Sequence, residues 1–434
     1  MNPSVGPATA SVVPAAASFV QVGATRDGLD PYLDCARRRG LPAVLVETPE
    51  YVSWRAALGR RPFDVEIGVA EPADAGQVSA ALAARGVRPV LVLTGFERYV
   101  RSGFALAGAP FVPPDKLAQR AALSRAAPWI AQPGHVRFRP GPQFDDALAA
   151  MRFPQVVKPS DGGGGLGVLL ARDAAERAAA LDAVRATRNY DGGPFADLLV
   201  EEVITGTEYS IQGLVHGGAA RVLTVCEKLT AHEPVPGTAL TGFRELGHIG
   251  THGAFAEPAL AALAHDCVAA VGYRDGPFHV DVIGGEGRYA FVEMGFRLSG
   301  GGLVGLVAKV TGADWAELTF RTHLGDGPVR LPDPPDPPVV VGQATLADDG
   351  EIAAAEQLRH DAVAPARAAP GTRAVARTSV ELHRAGRPPA GPPAGDGARL
   401  ASDRARHVGV GRVVIRGDLP DVRSGLRRCV AGRL

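Results

Sequence analysis

Between residues 18 and 110, short apolar runs alternate with segments of helical periodicity. Ser18–Val22 (SFVQV), Ala43–Glu47 (AVLVE), Val65–Val69 (VEIGV) and Pro89–Leu93 (PVLVL) are predicted strands. Asp27–Arg39, Asp74–Arg85 and Glu97–Leu106 are predicted helices between and after them. Such alternation predicts a parallel sheet with helices on both faces. The stretch VQVGATRDG has too few glycines at the right spacing to be a dinucleotide fingerprint.

The pattern then changes. Asp115 can cap a helix from Lys116 to about Ala126. A strand, His135–Arg139, and a helix, Phe144–Met151, follow. Gln155–Lys158 and Leu166–Leu170 are strands around a glycine-rich loop, Ser160–Gly165, whose bare backbone lets N–H groups approach phosphate oxygens. A Walker loop is excluded, because the lysine precedes the glycines and no Gly-Lys-Ser/Thr follows. After a helix over Ala174–Thr187, strands Leu198–Val203 and Tyr209–Val215 flank Thr205-Gly206-Thr207, and a further strand ends at Lys228. Thr230–Phe255 is unpatterned and is predicted to be a long irregular loop containing FRELGHIGTHG, a length that usually signals function or disorder.

A helix, Glu257–Val271, leads to a hairpin: Pro277–Ile283, a glycine-rich turn, then Tyr289–Arg297. A turn centred on Gly287 sets Asp281 opposite Glu293, close enough for two carboxylates to share a cation. Alternation places His279, Asp281, Glu293, Gly295 and Arg297 on one face and Val280, Val282, Ala290, Val292 and Met294 on the other. Helices near Leu303–Val310 and Asp314–Leu324 follow, then a stiff PDPPDPP linker at 332–338 and a β-rich, weakly patterned C-terminal stretch.

Composition narrows the chemistry. The 434 residues suffice for two to four domains, and the zero net charge argues against a general nucleic-acid or membrane-surface role. No apolar run is long enough to span a bilayer, and the N-terminal stretch lacks the basic region of a signal peptide. Cys35, Cys226, Cys267 and Cys429 show no metal-ligand spacing; with Cys226 and Cys267 in apolar surroundings, a reducing cytoplasm is expected. Only four of the 46 basic residues are lysines, namely Lys116, Lys158, Lys228 and Lys309. In a chain biased toward arginine, a retained lysine marks a place where a compact ammonium is wanted in preference to a planar fork. Lys309, in a predicted helix, is the one most readily explained by chance. From Gln357 on there are fifteen arginines against six acids, but no interleaved aromatics of the kind that bind nucleic acid, and no lysine to carry biotin or lipoate.

In order and spacing, these motifs resemble the ATP-grasp superfamily, and within it carboxylate–amine ligases of the L-amino-acid ligase (dipeptide synthetase) type, over roughly residues 18–430. The resemblance implies an α/β fold, α+β in parts. Its expected divisions are an N-terminal parallel α/β domain (1–110), a linking helical segment (111–150), a central antiparallel lid (151–215), a catalytic core (216–330) and a C-terminal α+β subdomain (331–434). ATP and Mg2+, with Mn2+ as a substitute, are the implied cofactors. Lys116, Lys158 and the Gly162, Gly163, Gly164 and Gly165 amides would meet the phosphates. Glu201 and Ile204 would hold adenine through their backbone, Glu208 the ribose, and Lys228 would lie near the triphosphate. Asp281 and Glu293 match the metal-binding acids, Arg297 the arginine that steadies the transferred phosphoryl group, and His248 a histidine facing the substrate. His279 is expected to orient Asp281.

Three departures stand out. Gly295 replaces a usual asparagine, so water is expected in place of its amide; Asp281 replaces a usual glutamate; and the substrate-facing stretch Ser299, Gly300 and Gly301 after Arg297 stands where certain dipeptide ligases place a bulky aromatic, so that Gly301 would leave a roomier amine pocket. The implied activity is ATP-dependent amide formation through an acyl phosphate, from a small carboxylate such as an amino acid and an amine. A homodimer is an open assembly, and neither nucleic acid nor membrane is a partner. The alternatives are a purine-pathway or biotin-carboxylase-like enzyme, or a catalytically silent ATP-binding partner protein.

Overall fold

The computed structural model describes residues 17–139, 144–189, 193–195, 197–235, 237–327, 329–363, 378–385 and 409–434. The N-terminal leader up to residue 16 and most of the arginine-rich stretch after 363 lie outside the described residues.

Four strands, β1 (Ala17–Val22), β2 (Ala43–Glu47), β3 (Val65–Gly68) and β4 (Arg88–Thr94), form a parallel sheet in the order β3-β2-β1-β4. The alternation of apolar runs and helices was therefore a sound guide here. Two details differ. The first helix starts at Pro31, because Asp30 is left-handed (φ 39°) and closes a preceding loop through bonds from the backbone N–H and hydroxyl of Thr25. A helix at Pro49–Ala57 was not predicted, although Thr48 caps it and proline opens it.

The remaining strands form one large sheet. Its main path runs β13 (Arg288–Gly295), β12 (Gly276–Gly285), β9 (Thr207–His216), β10 (Ala219–Pro234), β11 (Thr241–His252), β7 (Leu169–Ala171), β6 (Gln155–Pro159), β8 (Leu198–Glu202), β5 (His135–Phe138). β14 (Val340–Leu346) joins along β11, followed by β16 (Gly411–Gly417) and β15 (Ser379–Arg384). The helices Pro258–Ala270 and Lys116–Ala126 pack on the β12/β13 side around Val280, Val282, Phe291 and Met294. A separate cluster joins β14 and β16 to the helices Asp349–Val363 and Leu419–Cys429, neither of which was predicted.

The expected loop over 230–255 is a correction. β10 runs on to Pro234 and pairs with β11 almost throughout, so His248 stands on a strand directly opposite Lys228. Glycines at 242, 247, 250 and 253 masked the strand pattern. At Gly247 a Cβ would crowd Ala344 Cα at 2.9 Å, so the glycine there lets β14 lie close.

The acid hairpin has the expected pairing for a partly different reason. Its turn is the two residues Glu286 (φ 52°) and Gly287 (φ 76°), the positive-φ pair that suits a tight hairpin. That turn pairs Gly285 with Arg288 and Val282 with Phe291. A register shift between Asp281 and Val282 leaves Val292 as an extra residue and brings Asp281 back opposite Glu293. The bulge also swaps faces: Tyr289 and Phe291, not Ala290 and Val292, join the buried cluster, and Val292 lines the cavity described below.

Candidate active site

A cavity of about 700 Å³ lies between the large sheet, the N-terminal domain and the glycine-rich loop. Every residue that the sequence singled out for nucleotide, metal or substrate lines it: Lys116, Lys158, Gly162–Gly165, Glu201, Ile204, Glu208, Lys228, His248, Asp281, Glu293, Arg297 and Ser299–Gly301. Lys309 is the exception among the lysines, paired with Glu381 at 3.0 Å on the surface. The retained lysines thus divide into three in the cavity and one outside it. All four cysteines are free and buried.

Each lysine meets an acid. Lys158, on β6, donates to Glu201 at 2.7 Å, and Arg120 from the helix Lys116–Ala126 reaches the other oxygen of that carboxylate. Glu201 therefore has a side-chain part that the resemblance did not anticipate, while Ile204 sits in the open segment after β8. Burial depresses the Lys158 ammonium below the ordinary lysine value despite the pull of Glu201. Lys116 reaches Glu293 at 3.1 Å and donates to the Gly162 carbonyl at 2.6 Å, so it ties the glycine-rich loop to the acid hairpin. Burial opposes the charge on Lys116, but Glu293 outweighs it and raises the pKa.

Lys228 is the hub of the acidic end. It lies 2.6 Å from Asp281, 2.8 Å from Glu208 and 3.4 Å from Glu245. Burial disfavours its charge, yet these three carboxylates together hold its pKa well above the usual value. Burial also raises Glu208, which Lys228 offsets only in part. For Glu293, burial is outweighed by Lys116, Lys158 and Lys228, and its pKa falls to about 2.

Asp281 is oriented by Ser210, whose hydroxyl donates at 2.6 Å and itself accepts from Gln212 at 2.8 Å. The expected role of His279 in orienting Asp281 is therefore corrected: its imidazole makes no hydrogen bond to that carboxylate, and its Nδ1 is buried without a partner. The ring lies against Gly295, directly across the hairpin, in the space a side chain at 295 would occupy. The vacancy expected to take a water is thus filled by an imidazole.

Arg297 contacts Glu97 at 2.9 Å and donates to the Leu298 carbonyl at 2.6 Å. Glu97 comes from the N-terminal domain, as does Arg98, which pairs with Asp161 on the glycine-rich loop. His248 is buried, with Nε2 3.3 Å from Glu245 Oε1, near enough for attraction but not aligned for a hydrogen bond. Burial disfavours the charge on Glu245, but His248 and Lys228 beside it outweigh burial and hold its pKa far below the usual carboxylate range. Glu97, Arg120, Ser210, Glu245 and Gln343 escaped the sequence reading. For Glu245 a signal existed, since it stands three residues before His248 in FRELGHIG.

The opposed Asp281 and Glu293 suit a hard cation that takes oxygen ligands. Among the described residues, no group of three or more His, Cys, Asp or Glu is close enough to hold a metal unaided. The pair therefore fits an ion that draws its remaining oxygens from a bound phosphate and from water.

A model of the ATP-grasp domain family matches residues 151–304, the stretch that carries the glycine-rich loop, Glu201 to Glu208, Lys228 and the acid hairpin. This is an ATP-grasp fold. Dapdiamide A synthase from Enterobacter agglomerans is 25% identical over 152 residues, and the match spans about a third of each protein (34% of both). Among solved structures, an L-amino acid ligase from Bacillus licheniformis matches over 95% of this chain and 96% of its own, with TM-score 0.62 and 16% identity. An N5-carboxyaminoimidazole ribonucleotide synthetase from Thermus thermophilus matches over 94% and 97%, with TM-score 0.59 and 17% identity. At these identities the solved structures speak to the ATP-grasp fold alone. Among the described residues, no helix is long and apolar enough to cross a membrane.

Proposed function

We propose that this protein is an ADP-forming carboxylate–amine ligase that joins an amino acid to an amine, giving a dipeptide or aminoacyl amide. The observation that carries the reading is the convergence of Lys116, Lys158, Lys228, Asp281, Glu293 and Arg297 on one cavity. Fixed positive charge, two opposed carboxylates and a planar guanidinium are the parts that phosphoryl transfer to a carboxylate needs. The resemblance to the L-amino acid ligase and to dapdiamide A synthase supports the choice of an amide-forming reaction.

In this reading ATP is a substrate. Its base lies by Ile204, and its phosphates lie beneath the Gly162–Gly165 amides, replacing the acids that now pair with Lys116 and Lys158. Asp281 and Glu293 would hold Mg2+, which offsets charge on the phosphate oxygens when bound. A carboxylate oxygen of the first substrate attacks the γ-phosphorus, the bond to the bridging oxygen breaks, and ADP leaves. Arg297 presents its fork to the acyl phosphate. The amine nitrogen then attacks the acyl carbon, phosphate departs, and His248 takes the proton released from nitrogen. The Lys116–Gly162 and Arg98–Asp161 contacts keep the glycine-rich loop down over the site, which excludes water from the acyl phosphate. A small-molecule reaction of this kind fits a cytoplasmic protein.

The test is an ADP- and phosphate-release screen over amino acids, singly and in pairs, with mass spectrometry of the products. Amino-acid-dependent ADP release with an amide product is expected. Lys158→Ala, Glu293→Ala and Arg297→Ala should each lose on the order of 10²-fold or more in turnover, and a variant that keeps wild-type ADP release removes that residue from the mechanism. The match to an N5-carboxyaminoimidazole ribonucleotide synthetase is nearly as good in shape and favours a second reading, a carboxylating ATP-grasp enzyme. ADP release that depends on bicarbonate would select it, and bound ATP without turnover would select a silent binding protein.

A further inference from the structure

At the end of the cavity beyond Arg297, the sheet supplies a row of polar side chains. Lys228, His248 and Gln343 stand directly opposite one another on β10, β11 and β14. Two residues along β14, Thr345 stands opposite Arg412 on β16. Residues two apart on a strand share a face, and so do directly opposed residues. Arg412 therefore projects on the face that carries His248 and Gln343, and it lines the cavity. Its guanidinium lies against Gly302, in the space a Cβ there would fill. Gln343 donates to the neighbouring Gly301 carbonyl at 2.9 Å.

The arginines around the cavity differ in one respect. Arg26 pairs with Glu47, Arg98 with Asp161, Arg244 with Glu233 and Arg297 with Glu97, and Arg101 donates to the Pro113 carbonyl. Arg412 alone among them has no hydrogen bond or ion pair to any described residue. The acid that acts on it through space is Asp27. That carboxylate is already committed, accepting from Leu29 N at 3.2 Å and Gly302 N at 3.1 Å. The half-buried Arg412 thus presents unused donors to the cavity, and an anion bound there would meet them.

We propose that Arg412 binds a carboxylate carried by the amine substrate, so that the acceptor is an α-amino acid and the product a dipeptide with a free C-terminus. The proposal rests on the ligase reading above. Along the cavity, the phosphates lie by Lys158 and the glycine-rich loop, and the reacting carboxyl lies by Arg297. The amine must approach the acyl carbon from the side away from the phosphate. Its own distant anion then meets Arg412 across Gly300–Gly302, with the planar, bidentate geometry that guanidinium and carboxylate share.

The test compares each acceptor amino acid with its α-amide, which keeps the amine and side chain but lacks the anion. Full-length wild-type, Arg412→Ala and Arg412→Lys proteins are measured, with ADP affinity by calorimetry as a check on folding. The wild-type is expected to favour the free acid by about tenfold or more in kcat/KM, mainly through KM. In Arg412→Ala that preference should collapse to near one, with Arg412→Lys in between and ADP affinity unchanged. An undiminished acid-to-amide ratio in Arg412→Ala overturns the proposal, whether activity is lost equally on both or retained. So does a wild-type enzyme that prefers the amide. A wild-type protein that releases no ADP with any amino-acid pair overturns the ligase reading, and this proposal with it.

Discussion

At the residue scale, the site holds opposite charges in contact and so depends on pH. In the folded protein Glu293 has a pKa of about 2, against an ordinary 4.5, because Lys116, Lys158 and Lys228 outweigh its burial. A depressed carboxylate contributes stability that is fully present above the ordinary value and is lost as pH falls toward the folded one. Urea midpoints should thus drop between pH 4.5 and about 2, and drop less in Glu293→Gln. Parallel pH profiles for the two proteins would remove Glu293 from the acid response. Substrate choice is also set by single residues. Gly301 is left-handed (φ 66°), so a side chain there strains the backbone whatever its size. Gly300 has open space around its Cβ position and no such constraint. Gly300→Trp should therefore fold normally and shift the kcat/KM preference from large toward small amines by about tenfold. An unchanged preference would place the amine elsewhere.

At the element scale, the helix Lys116–Ala126 is pinned to β8 by a buried cluster of Arg120, Glu201 and Lys158. Arg120 also donates to the Val292 carbonyl at 3.0 Å, at the bulge that restores the Asp281–Glu293 pairing. Removing one partner from a buried ion cluster strands the others, at about 3–5 kcal/mol. Arg120→Ala should lose about that much in denaturant unfolding, and a loss under ~1 kcal/mol would mean the cluster relaxes into water. The same elements show what the sequence disclosed. The β1–β4 alternation was legible because each strand is a short stretch dominated by apolar, mostly β-branched or leucine residues and separated from the next by a helical segment. The β11 strand was not, because glycines at 242, 247 and 250 supply no side chain to alternate. The helix Pro49–Ala57 had a Thr-Pro start but a weak apolar stripe. The Val292 bulge left no local trace, and the pairing it restores was inferred from a symmetric turn that the hairpin does not have.

At the scale of the whole molecule, the cavity is assembled from parts far apart in sequence. The loops of the four-stranded parallel sheet supply Asp27 and Glu97, the helix Lys116–Ala126 its first residue, β6 and the loop after it Lys158 and the glycines, β9 to β13 of the large sheet Lys228, the acids and His248, and β14 and β16 Gln343 and Arg412. Lysines retained in an arginine-biased chain pointed to three of these positions. Glu97 and Arg412 carried no comparable signal, since each is one charge among many until the fold brings it to Arg297 or Gly302. The central claim is that a substrate carboxylate attacks the γ-phosphorus of ATP before the amine attacks the acyl carbon. It is tested by running the reaction with the acid labelled with 18O in its carboxylate, and measuring the released phosphate by mass spectrometry. One labelled oxygen in each phosphate, alongside ADP and the amide, is the predicted result. Phosphate without label, or label that appears only when bicarbonate carries it, would contradict the account.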